Sequence, residues 1–93
     1  MRIVSSIPKR RQDKMAPTYT AKQGQYLAYI YYYSKIHGEA PAEADMQGYF
    51  GVTPPSVHQM VVTLERNGLI ARTPGRPRSI RLLLDRAELP DLD

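Results

Sequence analysis

Residues 42–67 read AEADMQGYFGVTPPSVHQMVVTLERN, and this stretch decides the fold. It divides into a short amphipathic helix, a tight turn and a second amphipathic helix. In the first piece Ala44, Phe50 and Val52 supply the small or apolar positions. Gly51 marks the break, because glycine takes a left-handed backbone at no steric cost. Thr53 then suits an N-cap, and Pro54 suits the first helical position, where no backbone donor is needed. Val57, Val61 and Leu64 follow at i, i+4 and i+7, one face of a helix. Ser56, His58, Gln59 and Thr63 fall off that stripe. Asn67-Gly68 closes the helix. Two helices joined this way are the sequence form of a helix-turn-helix, whose second helix enters the major groove of DNA.

Working upstream, Thr20-x-x-Gln23 is a capping-box pattern that opens an earlier helix. That helix is expected to run to about His37, where Gly38 stops it. Tyr26, Ile30, Tyr33 and His37 share one of its faces. Tyr29, Tyr32 and Ile36 form a second row. So wide an apolar arc fits a helix buried on two sides of a three-helix core. The sharper alternative is that Tyr29, Tyr32 and Ile36 form a self-association face, since tyrosine brings apolar area with a polar tip. Gly38-Glu39-Ala40-Pro41 reads as an extended linker with room for a very short strand.

Downstream, Leu69 to Thr73 is strand-like, Pro74 to Arg78 is a turn by composition, and Ser79 to Leu84 is a second strand. A hairpin in this position is a wing. The expected fold is mainly α with a small β-hairpin: a winged helix-turn-helix of three helices plus a C-terminal wing. Residues 1–17 are expected to be a flexible basic arm, 18–84 the winged-helix domain and 85–93 an acidic tail. Past Leu84 no pattern is long enough for a stable element beyond a turn of helix. The core is expected to hold Leu27, Ile30, Phe50, Val57, Val61, Leu64, Leu69, Ile70, Ile80 and Leu82.

Composition narrows the function. The chain has 93 residues, enough for one modest core and not for a two-lobed enzyme. It has no cysteine, which removes disulfides, thiolate metal sites and a Cys nucleophile. Its two histidines, His37 and His58, lack a nucleophile or orienting acid at an evident spacing, so neither a catalytic site nor a metal site is expected. No cofactor and no small-molecule substrate are indicated. No run is long enough for a signal peptide or a membrane span, and a cytoplasmic, membrane-free protein is expected. The net charge is +4. Arg2, Lys9, Arg10, Arg11 and Lys14 stand before Pro17, while Asp85, Glu88, Asp91 and Asp93 crowd the other end.

With these pieces in place, residues of about 17–84 resemble the N-terminal DNA-binding domain of the LexA repressor family. The resemblance rests on Thr20-Ala21-Lys22-Gln23, on Gly38 through Pro41, and above all on Leu64-Glu65-Arg66-Asn67-Gly68-Leu69-Ile70 followed by Gly75-Arg76-Pro77-Arg78-Ser79-Ile80-Arg81-Leu82. The broad layout is also similar to MarR-type winged helices. The turn Gly51-Val52-Thr53-Pro54-Pro55 is about one residue shorter than in well-known LexA members, and Met46-Gln47 replaces the usual Ile-Ala. The chain ends where LexA repressors continue into a self-cleaving peptidase domain, so no Ser–Lys pair carries over.

The resemblance implies a prokaryotic, sequence-specific transcriptional regulator, a repressor, acting on double-stranded DNA. Residues 54–67 would lie in the major groove and the wing, 74–79, on phosphate or in the minor groove. Matched to the family, Thr53, Pro55, Ser56, His58 and Gln59 are the base-side candidates, with Thr63 reaching a phosphate. Gln59 leads them, because its amide pairs bidentately with adenine. Arg76 and Arg78 are the wing contacts, and Arg78 sits where the family's wing arginine sits. Lys9, Arg10, Arg11, Lys22, Arg72 and Arg81 would add phosphate contacts. A chain this small reads few base pairs, so two copies on DNA, or a partner protein, are expected. A winged helix used for protein–protein or RNA contact is the alternative.

Overall fold

The computed structural model describes residues 18–93, so the basic arm with Lys9, Arg10 and Arg11 lies outside the described residues. Helix α1 spans Ala21–His37, α2 spans Glu43–Phe50 and α3 spans Pro54–Arg66. Strands β1 (Ile70–Ala71) and β2 (Arg81–Leu82) pair antiparallel, with Ile70 opposite Leu82 and Ala71 opposite Arg81. This is the expected three-helix domain with a wing, but the paired strands are only two residues each. The wing therefore reads as a loop on a minimal hairpin. Glycine and proline in 74–77 keep it from extending the ladder. The linker before α2 forms no strand.

The helix ends follow local chemistry. Thr20 Oγ1 accepts from the Gln23 amide at 3.1 Å, and Gln23 Oε1 accepts from the Thr20 amide at 3.0 Å, which completes the capping box of α1. Thr53 Oγ1 accepts from the Ser56 amide at the start of α3. Gly51 ends α2 with φ 66°, so the chain reverses between α2 and α3 without strain. At α2 the cap is Asp45, whose Oδ2 accepts from the Ala42 amide at 2.8 Å. That bond, with Arg78 beside it, holds the Asp45 carboxyl below its ordinary value of 3.8.

One core gathers Tyr26, Leu27 and Ile30 from α1, Val57, Val61 and Leu64 from α3, and Leu69, Ile70 and Ile80 from the wing base. Two expected core residues, Phe50 and Leu82, are partly buried at its edge. The Phe50 ring stacks on Tyr26 with centroids 4.1 Å apart. In α2 the buried side chain is Met46, whereas Ala44 is exposed. An eight-residue helix anchored at one end by Phe50 turns position 46, one turn earlier, toward the core. No helix among the described residues is long and apolar enough to cross a membrane.

The acidic tail packs more closely than its composition suggested. Residues Arg86–Glu88 form a single 3₁₀ turn, and Leu89 enters the core at 8% exposure. The Tyr19 hydroxyl donates to the Glu88 carbonyl. Gln25 clasps the end of the chain: its Nε2 donates to the Asp91 carbonyl at 3.0 Å and its Oε1 accepts from the Asp93 amide at 2.8 Å. Tyr49 donates to the Asp93 carbonyl at 2.9 Å. Gly24 makes this approach feasible. A Cβ there would stand 2.9 Å from the Tyr19 ring and 3.0 Å from Pro90.

Gly24→Ala should therefore destabilise the full chain by about 1 kcal/mol, crowding outweighing the better helix propensity. In a chain ended at Leu84 the same change should cost less, because Pro90 is gone and the Tyr19 ring, released from Glu88, has room to give way. Urea unfolding of the four proteins checks the difference. Asp45 gives a second expectation. A carboxyl whose pKa is lowered by folding stabilises the fold above its unfolded value and stops doing so as pH falls through the folded one. Asp45→Asn should lower stability near neutral pH, with the gap to wild type closing as pH falls below the ordinary value of 3.8 and through the lowered folded one. A gap that persists at the acid end would count against the assignment.

Candidate nucleic-acid interface

Helix α3 has two unlike sides. Val57, Val61 and Leu64 are fully buried, which turns Ser56, Gln59 and Thr63, at i, i+3 and i+7, to the outside. Pro55, Ser56 and Gln59 are exposed and Thr63 is half-buried. These residues line a shallow groove with Met60 and, from the start of α1, Gln23. Gln59, the leading base-side candidate, has no side-chain hydrogen bond among the described residues. Thr53 and Ser56 are coupled: the Thr53 hydroxyl donates to Ser56 Oγ at 3.0 Å while accepting from the Ser56 amide at 3.4 Å. Thr53 is thus a helix cap first.

His58 lies on the other flank of α3. Its Nδ1 is 3.3 Å from Glu43 Oε2 of α2. Arg72 Nη1 reaches the same carboxylate oxygen at 3.7 Å, and Arg72 Nη2 bonds Glu65 Oε1 at 2.8 Å. A chain of polar contacts, His58–Glu43–Arg72–Glu65, therefore ties α2, α3 and the wing base together. Arg72 is nearly three-quarters covered and committed to these carboxylates.

The two wing arginines part company. Arg76 has no ion pair among the described residues and is exposed in the loop. It lines a cleft with Ala42, Glu43 and Arg72, beside the start of α2. Arg78 turns inward. Its Nη1 lies 3.1 Å from Asp45 Oδ2, 3.1 Å from the Tyr33 hydroxyl and 3.3 Å from the Ala40 carbonyl, with Glu39 at 3.9 Å. Its backbone has φ 55°, the one non-glycine with positive φ among the described residues. That conformation costs about 1–3 kcal/mol and persists where surrounding contacts hold it. The Tyr33 hydroxyl and the neighbouring carboxylates keep the Arg78 guanidinium more firmly protonated than usual. No sequence pattern announces this cluster, whose members are 33 to 45 residues apart.

The remaining candidates scatter. Lys22 is exposed in the first turn of α1, next to Gln23 of the α3 groove. Arg81 lines a different cleft with Tyr31 and Lys35, and no residue of α3 borders it. The row Tyr29, Tyr32 and Ile36 is not an open face. Tyr29 packs on Tyr49 and Phe50 of α2, and burial raises its pKa. The Tyr32 hydroxyl accepts from Arg86 Nη2 of the tail at 2.8 Å. Ile36 stands out at 75% exposure. The covering by the tail was missed because a lone Leu89 among acidic residues carries no periodic signal. Gly24 inside a helix was the available hint of a close approach.

Comparison with known proteins agrees with this geometry. The family described as the LexA DNA binding domain matches residues 15–79. The LexA repressor of Thermosipho melanesiensis is 38% identical over 64 residues, covering 69% of this chain and 32% of that protein. The LexA repressor of Exiguobacterium sibiricum is 37% identical over 68 residues, covering 72% of this chain and 33% of that protein. That of Thermosipho africanus is 36% identical over 64 residues. The chain spans about a third of the length of these relatives. The match runs through all three helices and the wing loop, and on these grounds the chain belongs to the LexA DNA-binding domain family.

Proposed function

We propose that this chain is a transcriptional repressor that binds double-stranded DNA sequence-specifically, with α3 in the major groove and the wing loop on the backbone. The observation that carries this reading is the polar stripe Ser56–Gln59–Thr63, left outward by the burial of Val57, Val61 and Leu64 in a chain of this family. Base readout needs side chains with both donors and acceptors that protrude from a helix. Gln59 has both. Pro55 and Ser56 open the helix beside it, where recognition helices meet base edges. His58 flanks them and Thr63 reaches the phosphate side. Thr53 acts through the cap it provides.

Affinity has another source. Helix α3 carries no Lys or Arg before Arg66. Phosphate neutralisation falls to Arg76 and Lys22, with Lys9, Arg10 and Arg11 of the basic arm. Arg72 and Arg81 contribute less, the first because it is paired and the second because it borders a cleft away from α3. Two copies are proposed to sit on DNA, since one helix covers only a few base pairs. The tail covers Tyr32, so pairing through the Tyr29–Tyr32–Ile36 row would require it to move.

Selection from a random duplex pool, followed by fluorescence anisotropy on the selected site, tests the reading. Gln59→Ala should weaken the selected site by about 1–3 kcal/mol and leave a random duplex little changed. Arg76→Ala should weaken both and reduce the slope of log K against log salt by about 0.9. Binding that is flat with salt, or equal on duplex and RNA hairpin, would sink the proposal. A palindromic consensus would support two copies.

A further inference from the structure

We infer that Arg78 is a positioning residue: its guanidinium latches the wing to the corner between α1 and α2, and the latch holds Arg76 where it meets the DNA backbone. The inference rests on the DNA-binding reading above. It departs from the simple expectation for a wing arginine, which is a direct phosphate contact.

Four observations support the latch. First, the Arg78 contacts converge from three separate places: Tyr33 in α1, Ala40 in the linker and Asp45 in α2. Nη1 carries two protons and shares them among three acceptors, which commits this nitrogen to the protein and leaves Nε and Nη2 as the donors facing outward from a side chain 37% exposed. Second, the charge is answered locally. Asp45 lies at 3.1 Å and Glu39 at 3.9 Å. Releasing Arg78 to DNA would leave two carboxylates beside the nucleic acid, which repels them. Third, the backbone is bent for the purpose. At φ 55° an arginine is strained, and a mobile phosphate-seeking side chain gains nothing from that strain. An inward-directed one does, because the bend returns the side chain toward the helices. Fourth, the loop has a second tie at its base. Ser79 Oγ accepts from the Thr73 amide at 3.0 Å and donates to the Thr73 carbonyl at 3.2 Å. With Ser79 closing the base and Arg78 fixing the flank, the segment that carries Arg76 has little freedom. A loop ordered before binding does not lose that entropy on binding.

The latch and the direct contact predict opposite signs. Asp45→Asn removes a negative charge and frees Arg78. If Arg78 were a phosphate contact, or if charge alone mattered, this change would tighten DNA binding. If Arg78 is a latch, it loosens the wing and weakens binding.

The test uses the full chain and a fluorescein-labelled duplex of mixed sequence, titrated over a range of salt. Arg78→Ala and Asp45→Asn should each weaken binding by about two- to tenfold, the cost of ordering a loop on binding. The double variant should be no weaker than either single one. The salt slope should stay at the wild-type value, whereas Arg76→Ala lowers it by about 0.9. Backbone amide heteronuclear NOEs without DNA give an independent readout: residues 75 and 76 should become mobile in both Arg78→Ala and Asp45→Asn. Tyr33→Phe, which removes one acceptor and no charge, should do the same to a smaller degree, and it serves if Asp45→Asn does not fold. Tighter binding by Asp45→Asn, a slope lowered by about 0.9 in Arg78→Ala, or an unchanged wing NOE would each overturn the latch. Absence of duplex binding by the wild-type chain would overturn the DNA reading and the positioning role with it, and the NOE would then report on the wing contact alone.

Discussion

The burial of Val57, Val61 and Leu64 is the constraint on which the rest depends. Each is fully inside, and each stabilises the fold by roughly 1.5–3 kcal/mol relative to exposure. Three such positions at helical spacing leave α3 a single rotational setting about its axis. Any other setting would put a valine or leucine in water and a glutamine or serine in the core, unpaired. The outward stripe of Ser56, Gln59 and Thr63 is therefore a by-product of packing. Polarity alone would not aim these side chains. The core does, and it holds them on a rigid element.

The same division sorts the charges. On a linear count the body of the chain is a basic protein. In three dimensions Arg72 and Arg78 stand against Glu43, Glu65, Asp45 and Glu39. These pairs use positive charge within the structure, where it ties the wing to α2, α3 and the linker before α2. Such partly exposed pairs contribute little to stability individually. Their geometric effect is larger, because they join segments that share few other contacts. A two-residue ladder cannot by itself fix the direction of a loop. Side-chain ties at Arg72, Arg78 and Ser79 do what a longer hairpin would do by backbone hydrogen bonds.

What was legible in the sequence was local. Thr20 with Gln23, Gly38, Gly51 and Thr53 specify helix ends through bonds that span three or four residues, and each stands where its chemistry requires. The stripe on α3 was legible because its period repeats three times. Met46 was not, since one methionine in EADMQGYF gives no period, and Ala44 and Phe50 competed for the same face. Leu89 was not, for the same reason. Arg78 illustrates the deeper limit. A wing arginine in a basic loop has one obvious reading, outward, and the carboxylate that turns it inward lies 33 residues earlier on another helix.

The tail shows how a small domain completes itself. A core of this size leaves the flank of α1 near Gly24 thinly covered, and Leu89 and Pro90 cover it. The cost is that a helix must carry a glycine at its second turn, losing about 1 kcal/mol of helix propensity. That loss is tolerable because Tyr19, Gln25 and Tyr49 each bond the tail backbone, which needs no particular tail side chain. The acidic residues of 85–93 stay exposed: Glu88 accepts from the Asp85 amide at 2.8 Å, and Asp91 meets Arg86 at 3.3 Å. Arg86 of the same segment reaches the Tyr32 hydroxyl of α1, so the tail also brings a positive charge to this flank. The tail thus completes the core through its backbone and one leucine, and its acidic side chains take no part in that packing.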